Sequence, residues 1–382
     1  MIKDELFQLG KEFQNYLKYW MLYMFRADQS AVYPEISIED IPNNKADLGS
    51  MYLARIIYGS ARASQLSDTE DSRPLAEAAL EKLKEFSNPQ GGYYWGRTYN
   101  MQWVHDPENV NMGQAFVLYG LASYAKINPS PDLELLIKEH LRFIQTSLKD
   151  ADKTQFLDGF DEQWMKGEKM TRSFGTHFHM MEAFVKVYEL YREEEVKGAI
   201  QDLLTLILDR FIEKEHYSCI HRFSPDWVPL ANENWAGHNA ECSWVICDAA
   251  RIINDAILIK ETNKLAVLMM AKVVEEARDL VNGGYYNLIP EDGAWEASKS
   301  WWPQAEVVLG LVNVYQITGD PSYMELAQEQ VSYIQKYFVR NNGEWYAQID
   351  HKGEPARDTP LVFFWKSMYH TVRYYDSMLS RI

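Results

Sequence analysis

Amphipathic helical segments recur along the whole chain and are separated by turns rich in glycine, proline and asparagine. Apolar residues at helical spacing predict twelve such segments, which form six consecutive pairs. They lie at roughly 3–25, 46–66, 73–88, 110–127, 131–149, 174–193, 195–213, 238–259, 262–281, 302–318, 321–339 and 360–380. A paired repeat of this kind restricts the chain to architectures in which helical hairpins pack side by side.

Three of the connections share a phrase in which glycine follows an amphipathic run and two aromatic residues come shortly after. The phrases begin at Asn88, Asn282 and Asn341 and read NPQGGYYW, NGGYYN and NNGEWY. Such a phrase predicts the end of a helix followed by a short strand or hairpin. Because strand candidates are confined to the connections, the sequence predicts an all-α fold.

Six helical hairpins can form a closed toroid, the (α/α)6 barrel, or an open solenoid. We favour the closed barrel because functional-looking residues begin alternate helices, as expected if one rim of inner helices lined a single pocket. These residues are Arg55, Gln114, His179, His238 and Trp302. No linker or low-complexity tract divides the chain, so we expect a single catalytic domain over residues 1–382.

Charge and cysteine usage exclude several classes of protein. The 38 basic and 55 acidic residues give a net charge of −17, which would repel nucleic acid and anionic membranes. The three cysteines form no even framework and no CxxC pair, and neither a signal peptide nor an 18-residue apolar run is evident. We therefore expect a cytoplasmic protein, monomeric or homodimeric, that binds a small molecule. Its 52 aromatic residues, 12 Trp, 24 Tyr and 16 Phe, suit either a large core or a sugar-binding cleft.

Two histidine–glutamate pairs are the strongest candidates for chemistry. His238 and Glu241 lie three residues apart in the stretch GHNAECSW, and His179 and Glu182 have the same relation in HFHMMEAF. On a helix each pair would share a face, so that a carboxylate could orient an imidazole that acts as acid or base. Core packing or solvation is the alternative for each pair alone. A metal site is disfavoured because helical-bundle sites place Glu before His, so we predict no metal and no cofactor.

Other polar residues lie in apolar or aromatic helical surroundings. Arg55 would need an anionic or hydroxyl-rich partner, supplied by a ligand or by a buried ion pair. Asn111 and Gln114 offer neutral hydrogen-bonding groups to a substrate or to the core. Trp302, after a first indole and before proline, could cover the pocket mouth or belong to the core. His370 lies among aromatic residues at or in the last helix.

Four phrases in this chain resemble those of a known family: HFHMMEAF, AGHNAECSW, KSWWPQAE and WKSMYH. In this order they are similar to segments of the N-acylglucosamine 2-epimerase superfamily, and most of all to its cellobiose 2-epimerase branch. The similarity extends from Arg55 to Arg373. It implies an (α/α)6 barrel that interconverts sugars at carbon 2 without a metal or a nucleotide.

The resemblance also implies roles for individual residues. His238 and His370 would be the acid/base residues on opposite faces of the open-chain sugar. His179 would assist ring opening or bind the carbonyl oxygen, and Arg55 would stabilise the enediolate oxygen. By the same resemblance Glu241 and Glu182 would hold their histidines, and the sugar would stack on two indoles, those of Trp302 and Trp365.

Departures from the family pattern leave the substrate open. Met112 stands where a pocket tyrosine is expected, and Ser367-Met368 replaces a proline-containing pair before Tyr-His. The expected reaction is therefore 2-epimerisation at the reducing end of a cellobiose-type sugar, with a mannose isomerase or mannose 2-epimerase as the alternative. A glycoside hydrolase on the same toroid would need two suitably spaced carboxylates, for which Asp161, Glu162 and Asp226 are weak candidates. A non-catalytic repeat scaffold would lack convergent titratable groups.

Overall fold

The computed structural model describes residues 2–25, 32–66, 71–152, 155–230, 233–290 and 298–381. The helices of these residues are α1 (Ile2–Tyr23), α2 (Ser50–Ala63), α3 (Arg73–Lys84), α4 (Val110–Ala125), α5 (Pro131–Ser147), α6 (Phe174–Tyr191), α7 (Glu194–Leu206), α8 (Ala236–Ile253), α9 (Ala256–Glu276), α10 (Trp301–Thr318), α11 (Pro321–Tyr337) and α12 (Tyr369–Arg381). A short π-helical turn, Ile207–Phe211, continues α7. None of the helices described is long and apolar enough to cross a membrane.

The helices form two concentric rings. The even-numbered helices α2, α4, α6, α8, α10 and α12 each contact the next, and α12 also contacts α2, which closes the inner ring. Five odd-numbered helices, α3 to α11, each pack on the preceding inner helix, whereas α1 packs on α12. Contact between the first and last hairpins excludes an open solenoid. The predicted (α/α)6 barrel is confirmed.

Burial follows from the apolar pattern of the two rings. Nearly every residue of α4 and most residues of α10 are buried, as expected for helices surrounded by neighbours on all sides. The outer helix α3 buries only one stripe, formed by Leu75, Ala76, Ala79 and Leu83. Outer helices also carry clear start signals, because Ser130 and Asp320 cap helices that begin with proline.

The same backbone hydrogen bond recurs after each outer helix. A backbone N–H further along the chain donates to a carbonyl at or just beyond the end of the helix in six equivalent places: Tyr33 to Met24, Tyr94 to Phe86, Leu157 to Leu148, Ile220 to Phe211, Tyr286 to Ala277 and Tyr346 to Phe338. The three glycine-aromatic phrases of the sequence lie at three of these six places. In one of them Gly343 has φ +96°, and a Cβ atom there would lie 2.4 Å from the backbone of Asn15.

The strands are short and confined to the connections, as predicted. They are β1 (Glu35–Ile36), β2 (Pro42–Asn43), β3 (Leu48–Gly49), β4 (Gly96–Arg97), β5 (Trp103–Val104), β6 (Asp158–Phe160), β7 (Lys166–Ser173), β8 (Arg222–Phe223), β9 (Asn234–Trp235), β10 (Leu288–Ile289), β11 (Lys299–Ser300) and β12 (Gln348–Ile349). All pairings are antiparallel, in two three-stranded sheets (β3-β4-β5 and β6-β7-β8) and three two-stranded sheets (β1-β2, β9-β10 and β11-β12).

These connections fix where the inner helices begin. The first backbone N–H of four inner helices donates to a carbonyl in the connection that follows the next outer helix: Ser50 to Trp95, Phe174 to His221, Ala236 to Asn287 and Trp301 to Ala347. These bonds satisfy N–H groups that a helix leaves free at its start. The N-terminal ends of the inner helices are therefore held around one mouth of the barrel.

The last inner helix begins later than predicted. Helix α12 starts at Tyr369, whereas the apolar spacing predicted a start near residue 360. Residues 361–366 instead make a turn in which Phe363 and Lys366 pair with each other. The Lys366 ammonium is buried and donates to the Glu344 carboxylate and the Leu361 carbonyl, both at 2.6 Å. This tertiary ion pair overrides the local helical pattern and leaves Trp365 in a loop.

Candidate active site

A cavity of about 390 Å³ opens at the mouth formed by the N-terminal ends of the inner helices. Seven of the ten predicted site residues line it: Arg55, His179, His238, Glu241, Trp302, Trp365 and His370. Ten further residues complete the lining: Asn109, Met112, Ser173, Gly175, Thr176, His221, Arg222, Trp235, Trp301 and Phe363. Residues from all six inner helices and from the loop before α12 thus converge on one cavity.

His179 and Glu182 form the predicted local pair. The Nδ1 atom of His179 lies 2.7 Å from an oxygen of Glu182, and both side chains are buried. The Tyr369 hydroxyl donates to both Glu182 oxygens at 2.9 Å. An ionised carboxylate only accepts hydrogen bonds, so the proton of this pair belongs on Nδ1 and leaves the other ring nitrogen available.

His370 has an equivalent partner that comes from a different helix. Its Nδ1 atom lies 2.7 Å from Oε1 of Glu306, a fully buried residue of α10. Glu306 also accepts hydrogen bonds from Trp244 Nε1 at 3.0 Å and from Arg373 Nη2 at 2.5 Å. Glu306 belongs to the phrase KSWWPQAE, but no role was predicted for it, because its distance of 64 residues from His370 hides the pairing.

His238 lacks the carboxylate partner that the sequence predicted. The Glu241 carboxylate contacts the guanidinium of Arg373 instead, and no described residue hydrogen-bonds the buried Nδ1 atom of His238. The imidazole packs at 4.8 Å, between ring centroids, from both Trp302 and His221. Burial, with the neighbouring His221, His179 and His370, lowers the pKa of His238 well below its usual value. His238 is therefore neutral near pH 7.

The indole of Trp302 joins the two histidines predicted to flank a sugar. Its centroid lies 4.8 Å from that of His238 and 5.4 Å from that of His370. The two imidazoles therefore border the same aromatic wall. Gly237 permits this packing, because a Cβ atom at that position would lie 2.5 Å from the Trp302 ring.

Arg55 is a buried cation beside this wall. Its Nη1 atom donates to the Trp365 carbonyl at 3.0 Å, and its guanidinium lies 4.0 Å from the ring centroid of Phe116. Among the described residues it has no ion-pair partner, and its buried Nε atom has no hydrogen-bond acceptor. Burial lowers the pKa of Arg55 to about 10, so the group stays charged at neutral pH. Such a cation favours negative charge in the cavity.

Asn111 and Gln114 do not reach the cavity, which corrects their prediction as substrate-binding residues. The Gln114 amide is fully buried and bonds the backbone N–H and carbonyl of Tyr93 at 2.9 and 2.8 Å. The Asn111 amide donates to the Leu157 carbonyl. Gln304 holds Tyr285 with the same two bonds at 3.0 and 2.8 Å. Each glutamine thus makes the same structural contact with the backbone of a tyrosine. Glu182 does not line the cavity either, and it hydrogen-bonds His179.

Three groups in the site have the spacing of a metal centre. Ligand atoms of Glu241, Glu306 and His370 all lie within 4.8 Å of one another. However, the Arg373 guanidinium bonds both carboxylates and supplies the positive charge that a metal ion would bring. We therefore assign these groups to an ion cluster of the chain and not to a set of metal ligands.

Known proteins are similar to this chain over most of its length. The sequence profile of the N-acylglucosamine 2-epimerase family matches residues 37–373. Cellobiose 2-epimerase of Bacteroides fragilis is 24% identical over 94% of this chain and 94% of its own length, and the Dictyoglomus turgidum enzyme is 27% identical over 89% of both.

The fold is also that of solved structures. Cellobiose 2-epimerase from Bacillus thermoamylovorans superposes with a TM-score of 0.88 at 21% identity, covering 99% of this chain and 100% of that one. A D-mannose isomerase superposes with a TM-score of 0.87 at 16% identity, covering 98% and 97%. The chain belongs to the N-acylglucosamine 2-epimerase family and is an enzyme of the isomerase class.

Proposed function

We propose that this chain is a cofactor-independent sugar 2-epimerase that acts at carbon 2 of a reducing-end aldose. The observation that carries the proposal is the convergence of three groups on one cavity. His238 is a neutral imidazole without an acidic partner, His370 is an imidazole held by Glu306, and Arg55 is a buried cation without an ion-pair partner in the described chain.

These groups match the needs of the reaction. A hydrogen on the carbon next to an aldehyde is weakly acidic, so its removal needs a base that is neutral near pH 7 and a cation near the oxygen that gains charge. His238 or His370 takes the proton from carbon 2, and Arg55 stabilises the enediolate oxygen. His179, held by Glu182, assists ring opening or binds the carbonyl oxygen.

The site of proton return decides the product. If the other histidine delivers a proton to the opposite face of carbon 2, the product is the 2-epimer. If the proton goes to carbon 1, the product is the ketose. Both outcomes conserve atoms and need no oxidant, so an epimerase and an aldose–ketose isomerase share these residues.

A cellobiose-type disaccharide is the proposed substrate. The relatives named above are cellobiose 2-epimerases, and the indole of Trp365 is 42% exposed at the mouth of the cavity, where a second sugar unit would lie. Met112 lines the cavity in place of the expected tyrosine, which removes a hydroxyl from the wall. A mannose isomerase or mannose 2-epimerase is therefore the alternative within the family.

Glycoside hydrolysis fits the site poorly. The carboxylates of Glu241 and Glu306 both bind Arg373, and neither is free to act as the acid or nucleophile that hydrolysis requires. The other candidate carboxylates, Asp161, Glu162 and Asp226, do not line the cavity. A scaffold without activity would not explain why Arg55 and His238, which have no acidic partner in the described chain, both line one pocket.

Three further properties remain predictions. The described cysteines are all free and buried, which agrees with a reducing compartment such as the cytoplasm. The acidic net charge of −17 disfavours nucleic acid as a partner. We predict a monomer or a homodimer, and sedimentation in solution measures which of the two is present.

The test is incubation with cellobiose, mannose and glucose in heavy water with a chelator, followed by NMR. Deuterium at carbon 2 together with the epimer supports the proposal, and deuterium with ketose supports the isomerase alternative. Absence of exchange on all three aldoses would reject the proposal for these substrates. The variant Arg55→Met serves as the matched control, because it should lose exchange while keeping the fold.

A further inference from the structure

One buried cation, Arg373, joins three carboxylates from three inner helices. It lies on α12, and its Nη1 atom donates to Glu182 Oε1 at 2.9 Å. Its Nη2 atom donates to Glu306 Oε1 at 2.5 Å and also contacts Glu241 Oε1. The side chain is 4% exposed, and the three carboxylates are between 0% and 7% exposed. This ion cluster is therefore buried, and one of its members, Glu241, also lines the active-site cavity.

Two of these carboxylates are the partners of the site histidines. Glu182 binds His179 through Oε2 and Arg373 through Oε1, so its two oxygens are divided between the imidazole and the guanidinium. Glu306 uses the same oxygen, Oε1, for both His370 and Arg373. Arg373 is thus the common second partner of both histidine–carboxylate pairs.

We propose that Arg373 is a positioning residue that keeps both carboxylates ionised and correctly turned, so that His179 and His370 present the same ring nitrogen to the substrate. This inference rests on the proposed epimerase or isomerase function. An ionised carboxylate accepts a hydrogen bond from Nδ1–H and leaves the other nitrogen, Nε2, to exchange protons with a sugar. A protonated carboxyl could instead donate to Nδ1 and reverse the tautomer.

Electrostatics explains why the cation is required. Three carboxylates buried within reach of one another repel, and such a group tends to take up a proton. Burial raises the pKa values of Glu241 and Glu306, and the charge of Arg373 opposes that rise in both. Removal of the guanidinium would therefore favour protonation of a carboxyl in the cluster.

The surroundings of Arg373 select arginine over lysine. Its guanidinium lies 4.3 Å from the ring centroid of Tyr369 and 4.9 Å from that of Trp244, which fixes the plane of the fork. A lysine would keep the positive charge but could not bond several carboxylates in fixed directions. The variant Arg373→Lys thus removes the geometry while leaving the charge.

Arg381 supplies a matched control on the same helix. It lies two turns further along α12, packs 5.2 Å from the same Trp244 ring and forms an ion pair with Asp248. It does not line the candidate active site. Arg381→Lys makes the same chemical change outside the ion cluster, so it measures the general cost of an arginine-to-lysine change on α12.

The experiment compares both variants with the wild-type enzyme by steady-state kinetics and by NMR titration of the histidine rings without substrate. We expect Arg373→Lys to lower kcat roughly 10- to 100-fold, with a smaller change in KM, because misplaced catalytic groups have costs of this size. The pH profile of kcat and the titration of His370 should shift. Arg381→Lys should change none of these.

Two outcomes would overturn the inference. One is an Arg373→Lys variant that is folded by near-UV circular dichroism and has wild-type titrations and a wild-type pH profile. If that variant does not fold, Arg373→Met combined with Glu241→Gln removes one cation and one anion together and should show the same shifts. Failure of both to fold, with Arg381→Lys folded, would assign Arg373 to folding alone.

The titrations separate this inference from the proposed function. A wild-type protein without activity on any aldose would reject the proposed function. The ring titration of His370 would still report whether Arg373 controls the protonation of that histidine.

Discussion

The two mouths of the barrel are built from the same six inner helices but differ in how their polar groups are paired. At the N-terminal mouth Arg55 and His238 face a cavity without an acidic partner in the described chain. A second cavity, of about 190 Å³, lies towards the C-terminal ends of five of these helices, α2, α4, α6, α8 and α12. Its charged groups are paired, as in Lys186 with Glu189 at 3.0 Å and Asp376 with Arg62 at 2.8 Å.

Helix direction accounts for part of this difference. The N-terminal end of a helix carries partial positive charge and the C-terminal end partial negative charge. Arg62, Arg251 and Arg381 occupy last turns of inner helices, where basic residues are stabilising. The opposite mouth has six helix starts, whose field favours the negative charge of an enediolate. We therefore expect catalysis at the N-terminal mouth, where polar groups lack partners in the described chain. At the C-terminal mouth we expect the paired charges to contribute to the stability of the fold.

The largest effect should follow removal of the neutral base at the N-terminal mouth. We expect His238→Asn to reduce kcat/KM by ~10²- to 10⁴-fold, the usual contribution of a positioned acid or base. The measurement is deuterium incorporation at carbon 2 of the aldose substrate. Exchange at the wild-type rate in this variant would contradict a catalytic role for His238 at the N-terminal mouth.

A somewhat smaller loss is expected for the cation at the same mouth. Arg55→Met should lower kcat by about 10²- to 10³-fold, since it removes the group that stabilises developing negative charge. The change should fall on kcat more than on KM if the charge appears only in the transition state. An equal loss in binding of the ground-state sugar would show instead that Arg55 serves substrate affinity.

What could be predicted from the sequence depended on whether an interaction is local. The pair His179 and Glu182 was predictable because both residues lie on one face of one helix. Glu241 has the same spacing from His238, yet its carboxylate bonds Arg373, which is 132 residues away. Helical spacing shows which residues share a face, but it does not show which residue of another helix binds them in the folded protein.

The same limit applies to the fold. Helical periodicity was sufficient to predict twelve helices, because each segment is long enough to show its apolar stripe. It failed at the start of α12, where Lys366 is bound to Glu344 from the preceding hairpin. It also failed for Gln114, whose bond to Tyr93 repeats in Gln304 and Tyr285. The sequence signals for that role were the recurrence of Gly-Gly-Tyr-Tyr and, further along the chain, of Gln-Ala at the two sites.

Acid should destabilise the folded protein through the buried histidines of the N-terminal mouth. Burial lowers the pKa of His221 to about 4, against 6.5 for an exposed histidine. The unfolded chain therefore binds more protons between these values, and the free energy of unfolding should fall as pH drops from 6.5 towards 4. A tenfold difference in proton affinity between the folded and unfolded chain corresponds to about 1.4 kcal/mol.

Urea unfolding at pH 7 and pH 5 measures this loss. His221→Gln provides the control, because it removes one titrating group and should make the difference between the two pH values smaller. An unchanged difference would mean that His221 does not stay neutral in the folded protein.

The smallest effect is expected at the C-terminal mouth. Lys186 lines the second cavity and pairs with Glu189 one turn along the same helix, and both side chains are partly exposed. Lys186→Met should therefore lower the free energy of unfolding by only about 0.2 to 0.5 kcal/mol, as is usual for such pairs. Its kcat and KM should equal those of the wild type, in contrast to His238→Asn at the other mouth. A large loss of kcat in Lys186→Met would contradict the comparison, because the mouth with paired charges would then take part in the reaction.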